Sequence, residues 1–252
     1  MCGTDYTVER IAPGTYRLDE RGLCNCYLLL GSERALLIDT GLGLGQLRRQ
    51  VEALTRLPVT VALTHLHCDH AGGAGWYPRF YVGRADLAPV YRLLSSRLAA
   101  SVMTPHGVKP PRLPYLPMPA PIGDGRVFEL GGRSVRAISV PGHTRGSTAF
   151  ADEREKLLFT GDDINESLWL QLPGCTTLRG WLPGGERLLS LARDYAPWCG
   201  HGAGRQDPAQ LAQTYALVRG LAEGKNALLG RTAVFPARGR FPQVVCNTAK
   251  RN

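Results

Sequence analysis

Four potential metal ligands fall within six residues: His65, His67, Asp69 and His70, in the run Thr64-His65-Leu66-His67-Cys68-Asp69-His70-Ala71-Gly72-Gly73. An isolated histidine is ordinarily solvated or hydrogen-bonded, but ligand-type residues at this density point to a cation. Three more such residues sit beside glycines further along. These are His143 in Pro141-Gly142-His143-Thr144, Asp162 in Thr160-Gly161-Asp162, and His201 in Cys199-Gly200-His201-Gly202. The chain has six histidines and five lie in these contexts, so scattered structural histidines explain the pattern poorly. Five imidazoles with Asp69 and Asp162 suit a two-metal site in which Asp162 can bridge. Nitrogen and carboxylate donors without thiolate suit Zn²⁺, with Mn²⁺ or Fe as alternatives. Two such ions, roughly 3.5–4 Å apart, would share a hydroxide that is nucleophilic at neutral pH.

Positioning these residues requires sheet ends. Residues 59–64 form an apolar run that reads as a strand, and alternation along it puts His65 and His67 on one face while turning Cys68 away. The glycine pair at 72 and 73 then permits a tight exit. Upstream, residues 6–10, 15–18, 24–30 and 35–39 read as strands, the last two apolar enough to be buried on both faces. Leu47, Val51, Leu54 and Leu57 mark a helix over residues 46–57. A further strand at 80–82 leads into a predicted helix over 85–101. Residues 104–121 carry seven prolines and His106, and read as a functional or disordered loop. Two strands at 127–130 and 134–140 form a hairpin across Gly131-Gly132, and 147–151 pairs with 157–160. Helices near 185–195 and 208–221 follow, and strands at 232–235 and 243–245 are expected to close the sheet. An acid and a glycine end both the strand at 35–41 and that at 156–162, which suggests two βα halves facing each other in one α/β domain, residues 1–252.

Composition narrows the class. With 252 residues, 44% hydrophobic and 20% charged, the chain can bury a substantial core. No apolar run approaches the roughly 20 residues of a membrane span, and no signal-peptide pattern is visible, so a cytoplasmic location without membrane association is expected. Seven scattered cysteines are odd in number and read as reduced core residues. The formal charge of +9 comes almost entirely from dispersed arginines, which argues against nucleic acid and for a small, anionic substrate.

The motif His65-x-His67-x-Asp69-His70, followed by Gly142-His143, Gly161-Asp162 and Gly200-His201, resembles the metallo-β-lactamase superfamily in its dinuclear branch. That branch holds glyoxalase II-type thioesterases, lactonases and zinc-dependent ribonucleases. The resemblance implies a four-layer αββα sandwich with the metals at the sheet edges. It implies that His65, His67 and His143 hold one metal, that Asp69, His70 and His201 hold the second, and that Asp162 bridges them. Asp39 matches an acid that orients its neighbours by hydrogen bonding without touching metal. The implied enzyme is a dinuclear zinc hydrolase, two Zn²⁺ per chain, acting on an ester, thioester, lactone or amide. Asp69 and Asp162 are its catalytic carboxylates, and Asp69 orients or relays the proton. Family members are often dimers, so a homodimer is expected.

The β-lactam-hydrolysing branch with a cysteine ligand does not fit, because His70 is present and Asp162 takes the bridging position. Oxygen-reducing di-iron relatives carry glutamate where this chain has His67. The roughly fifty residues after His201 contain neither a glyoxalase II-type helical substrate domain nor an evident basic cluster for glutathione. A phosphodiesterase or nuclease, or a mononuclear iron persulfide dioxygenase, are the competing readings. Trp76, Tyr77, His106, Arg145 and Trp169 are candidate substrate contacts.

Overall fold

The apolar strands sort their side chains between two faces, and that sorting builds the layers. A computed structural model describes residues 5–88, 119–172, 174–224, 232–236 and 243–247. Its first sheet has seven strands in chain order: β1 (Tyr6–Ala12), β2 (Thr15–Glu20), β3 (Cys24–Leu30), β4 (Ala35–Ile38), β5 (Val59–Ala62), β6 (Phe80–Gly83) and β7 (Ala120–Ile122). The first four pair antiparallel and the rest parallel. Leu28, Leu37 and Val61 face outward, onto Leu47 and Val51 of helix α1 (Leu47–Leu54). Leu29, Leu36, Ile38 and Ala62 point the other way, into a core shared with the second sheet.

That second sheet orders β13 (Ala196–Cys199), β11 (Leu157–Gly161), β10 (Thr148–Asp152), β9 (Ser134–Ser139) and β8 (Val127–Glu129). Phe150 and Phe159 fill the central core, while Ala149, Ala151 and Leu158 pack outward. Leu188 of helix α3 (Leu178–Leu191) and Leu211 of helix α4 (Pro208–Ala222) cover that outer face. The result is helix, sheet, sheet, helix: the expected αββα sandwich. Fully burying each large apolar side chain contributes about 1.5–3 kcal/mol, so the alternation on β3, β4 and β10 is what fixes register.

One buried ion pair of the second sheet also reaches across to the first. Arg133, at the turn entering β9, is 2% exposed and Asp152 is fully buried. The guanidinium donates to both Asp152 oxygens (2.6 and 3.2 Å), to the Gly14 and Leu30 carbonyls, and to Thr15 Oγ1. Every polar edge of the pair is met.

The hairpin of β8 and β9 and the antiparallel pair of β10 and β11 form as expected. Other elements differ. Helix α3 starts at Leu178, earlier than the predicted 185, because Thr177 caps it through a bond from the Gly180 amide and Pro183 is accommodated inside. The strands near the C-terminus, β14 (Thr232–Pro236) and β15 (Gln243–Asn247), do not close a main sheet. They join β12 (Ser167–Leu170) in a separate three-stranded sheet, where Leu168, Leu170, Val244 and Cys246 pack with Trp181 and Val218 of the helices. Of the helix predicted over 85–101, only the 3₁₀ turn Arg84–Leu87 lies within the described residues. No helix among the described residues is long and apolar enough to cross a membrane.

Candidate metal centre

Strand β5 ends at Ala62, so His65 and His67 lie in the segment beyond it and not on its alternating faces. His67 is instead the residue preceding helix α2 (Cys68–Ala71), whose first turn carries Asp69 and His70. Cys68 points into a small apolar cluster with Cys24 and Leu42, and burial pushes its thiol up to about 12. It stays out of the centre through helix geometry; strand alternation plays no part. The loop after β4 clamps α2: Thr40 Oγ1 donates to the His70 carbonyl and the Gly72 amide to that of Gly41. Gly72 has ordinary helical angles, but a Cβ there would lie 2.2 Å from the Leu42 carbonyl oxygen, so glycine serves close packing and not the turn expected of it.

Asp39, with φ of 60°, occupies the left-handed region at the end of β4. That conformation costs a non-glycine residue of order 1–3 kcal/mol, and the contacts it secures are specific. Its carboxylate accepts from the Thr64 amide (2.7 Å), the Thr64 hydroxyl (2.8 Å) and His70 Nδ1 (2.9 Å). The acid therefore orients one ligand-type residue and the start of the motif without entering the cluster.

The seven ligand-type residues converge as two groups, His65, His67 and His143 in one, and Asp69, His70, Asp162 and His201 in the other. In the first, His67 Nδ1 lies 3.0 Å from His65 Nε2 and 2.9 Å from His143 Nε2. Outer partners set the tautomers. His143 Nδ1 donates to the Trp169 carbonyl at 2.8 Å, which leaves Nε2 as a lone pair. Thr64 spends its proton on Asp39, so its oxygen accepts from His65 Nδ1 at 3.1 Å, with the same consequence. Two lone pairs thus face a third nitrogen, and His67 Nε2 is buried without a partner. A proton on His67 Nδ1 would have to be shared between two lone pairs, whereas a cation among the three converging nitrogens would meet them all.

In the second group, His201 Nδ1 donates to the Leu23 carbonyl and His70 Nδ1 to Asp39. Their Nε2 atoms face carboxylates: His201 lies 3.2 Å from Asp162 and 3.5 Å from Asp69, and His70 lies 3.4 and 3.8 Å from the same pair. His70 Nε2 is buried, and its contacts to the two carboxylates are longer than a good hydrogen bond. Asp162 reaches both groups, since its Oδ2 is also 3.6 Å from His143 Nε2. Converging ring nitrogens and a carboxylate between two ligand sets fit a pair of metal ions.

Electrostatics divides the groups. Burial, reinforced by neighbouring imidazoles, holds His65 well below the usual histidine range and pushes His67 down to about 3; burial also lowers His143. Burial opposes protonation of His70 too, yet Asp162, Asp39 and Asp69 outweigh it and hold that ring well above its ordinary value. The same balance, with Asp162 foremost, brings His201 to about 9. Burial would raise Asp162, but His201 and His70 drive it well below the carboxylate range.

The structure gives the candidate substrate contacts different surroundings. Trp169 is 42% exposed at the rim and its carbonyl holds His143. Trp76 and Tyr77 line a cavity of about 340 Å³ against α1 with Arg48 and Glu52, and no ligand-type residue lines it. Arg145 is exposed in the His143 loop, and His106 lies outside the described residues. A residue the motif search missed is Glu20, fully buried, which accepts from Tyr6 and from the Leu42 and Gly45 amides and so shapes the loop that clamps α2. Nothing in its sequence context separates it from a surface acid.

The profile of the Metallo-beta-lactamase superfamily matches residues 19–190. The chain belongs to this superfamily. It is 28% identical over 220 residues to the human acyl-coenzyme A thioesterase MBLAC2, covering 77% of this chain and 74% of that protein. It is 31% identical over 156 residues to the atrochrysone carboxyl ACP thioesterase nsrC of Aspergillus novofumigatus, covering 60% of this chain and 41% of that one. Among solved structures, the metallo-beta-lactamase family protein TTHA1429 from Thermus thermophilus superposes with a TM-score of 0.66 at 26% identity, over 88% of this chain and 85% of that chain. Membership in the superfamily accounts for the sandwich.

Proposed function

We propose that this chain is a dinuclear metal-dependent hydrolase of acyl thioesters. The observation that carries the metal reading is the pair of converging donor groups with Asp162 between them. The likeness to two thioesterases supports thioester over the ester, lactone and amide alternatives. His65, His67 and His143 would hold one ion, and Asp69, His70 and His201 the other, with Asp162 shared. Two divalent ions there would supply a nucleophile from water at neutral pH and an electrophile for the carbonyl oxygen. The chain's own part is to keep the imidazoles in the right tautomers, through Asp39, Thr64, the Trp169 carbonyl and the Leu23 carbonyl. Loading the second group requires His70 and His201 to give up their protons. Asp69, whose Oδ2 faces both rings, would take the proton of the attacking water and return it to the departing thiolate. The C–S bond breaks, and a carboxylic acid and a free thiol result.

Zn²⁺, two per chain, is our assignment for donors of this type, with Mn²⁺ or Fe distinguished by metal analysis. We read residues 1–252 as one cytoplasmic catalytic domain, and the net charge of +9 as suited to an anionic thioester such as an acyl-coenzyme A. The charge also gives a phosphodiesterase reading its one support. The test is a panel of acyl-coenzyme A, aryl ester, lactone and phosphodiester substrates with the zinc-loaded protein. Thioesters should be turned over fastest; phosphodiester cleavage without thioesterase activity, or one iron per chain with oxygen uptake, would reject the proposal.

A further inference from the structure

Another buried carboxylate joins the two segments that carry the three-imidazole group. Asp86, in the 3₁₀ turn after β6, is fully buried, and no described cation pairs with it. Its Oδ2 accepts from the Leu66 amide at 3.0 Å and from Thr144 Oγ1 at 2.9 Å; its Oδ1 accepts from the Gly146 amide at 2.7 Å. Leu66 lies between His65 and His67, and Thr144 follows His143. One side chain therefore grips both segments that carry the three-imidazole group, one from each half of the sandwich.

The surroundings leave this grip little slack. A Cβ on Gly146 would lie 2.5 Å from Asp86 Oδ1, and one on Gly83 would lie 1.8 Å from the Gly146 carbonyl oxygen. Thr144 is fixed in turn, its amide donating to Ser147 Oγ at 2.9 Å and its hydroxyl lying 3.1 Å from that oxygen. The Thr148 amide donates to the Thr64 carbonyl, a second tie between the same segments. A buried carboxylate with no counter-charge among the described residues is expensive, and an apolar residue would fill the space without that cost. What a carboxylate adds is three acceptor directions on a rigid frame, aimed at two chains whose ring nitrogens must meet within 3.0 Å.

We propose that Asp86 is a positioning residue for the three-imidazole group, setting the separation between the His65–His67 segment and His143. The proposal rests on the reading of that group as a metal site only for its consequence in affinity; the positioning itself is a property of the metal-free protein. Asp86→Asn is the informative change. Its single acceptor oxygen cannot serve both the Leu66 and Gly146 amides, and its NH₂ must face one of them. Thr144→Val removes one donor, keeps the shape, and provides a milder variant should Asp86→Asn fold poorly.

Two measurements on each variant decide the matter. Imidazole ¹⁵N chemical shifts of the metal-free protein should move for His65, His67 and His143 and stay put for His70 and His201. Titration with Co²⁺ should show the three-imidazole site weakened ten- to hundredfold in Asp86→Asn, several-fold in Thr144→Val, and the carboxylate-rich site unchanged. Unmoved His65, His67 and His143 shifts in both variants, or equal weakening of the two sites, would overturn the positioning role. Failure of the unaltered protein to bind Co²⁺ would instead reject the metal reading, and the ¹⁵N shifts would still decide for or against Asp86.

Discussion

Two regions of this molecule bury charge, and they do it in opposite ways. Between the sheets, Arg133 and Asp152 satisfy each other and are further bonded to Thr15 and two backbone carbonyls. At the sheet ends, five imidazoles and two carboxylates crowd together, with three ring nitrogens turned toward one another and His70 Nε2 held 3.4 Å or more from its carboxylates. The first arrangement is complete as it stands and holds two layers together. The second is complete only with cations added. Burial alone therefore does not mark function; unmet hydrogen-bonding capacity that converges on one point does.

The sharpest way to break this contrast is to change the shared carboxylate. Asp162→Asn should lower thioesterase kcat/KM by about 10³-fold or more, beyond the 10–100-fold typical of partners behind a ligand, while the metal-free protein keeps its fold by circular dichroism. Arg133→Met should do the reverse. Stranding Asp152 should cost about 3–5 kcal/mol of stability, and the double change Arg133→Met with Asp152→Leu should recover most of it; chemical denaturation measures both, with metal content unchanged throughout. Asp39→Asn should fall between, weakening metal retention about ten- to hundredfold because one amide oxygen cannot serve both the Thr64 amide and His70 Nδ1, as equilibrium dialysis against a chelator would report.

The smallest effect concerns protons. His201, at about 9 in the metal-free protein against 6.5 unperturbed, carries a proton that a metal must displace. Affinity at the carboxylate-rich site should rise with pH up to about 9, whereas the His65, His67 and His143 site, whose rings are held low, should be nearly flat above pH 6. The sign for folding is opposite. His201 stabilises the metal-free protein fully below its unfolded value, and that contribution is lost as pH rises through about 9. Calorimetry in buffers of different ionisation enthalpy counts the protons released on loading.

Much of this was legible in the chain because ligand chemistry is local. The motif from His65 to His70 and the glycine-flanked His143, Asp162 and His201 need no tertiary knowledge to stand out, and β3, β4 and β10 are apolar on both faces because they lie inside a sandwich. The expected route to their convergence was partly wrong, however. His65 and His67 converge because the chain turns into α2 and His65 Nε2 meets His67 Nδ1, a ring-atom choice no periodicity encodes. Pro183 concealed the first turns of α3, since proline argues locally against a helix that Thr177 and the Trp181 packing sustain. The third sheet was illegible because β12 meets β15 across more than seventy residues of chain. Glu20 and Asp86 look like surface acids until the loops that bond them are in place.

The most direct test of the two-site account is the metal content of the purified protein after removal of all metal and reloading with Zn²⁺, measured by elemental analysis for the unaltered chain and for His143→Ala. The account predicts two ions per chain in the first, and in the second one ion that stays on the carboxylate-rich group. A single ion in the unaltered chain, or two ions retained in His143→Ala, would contradict it.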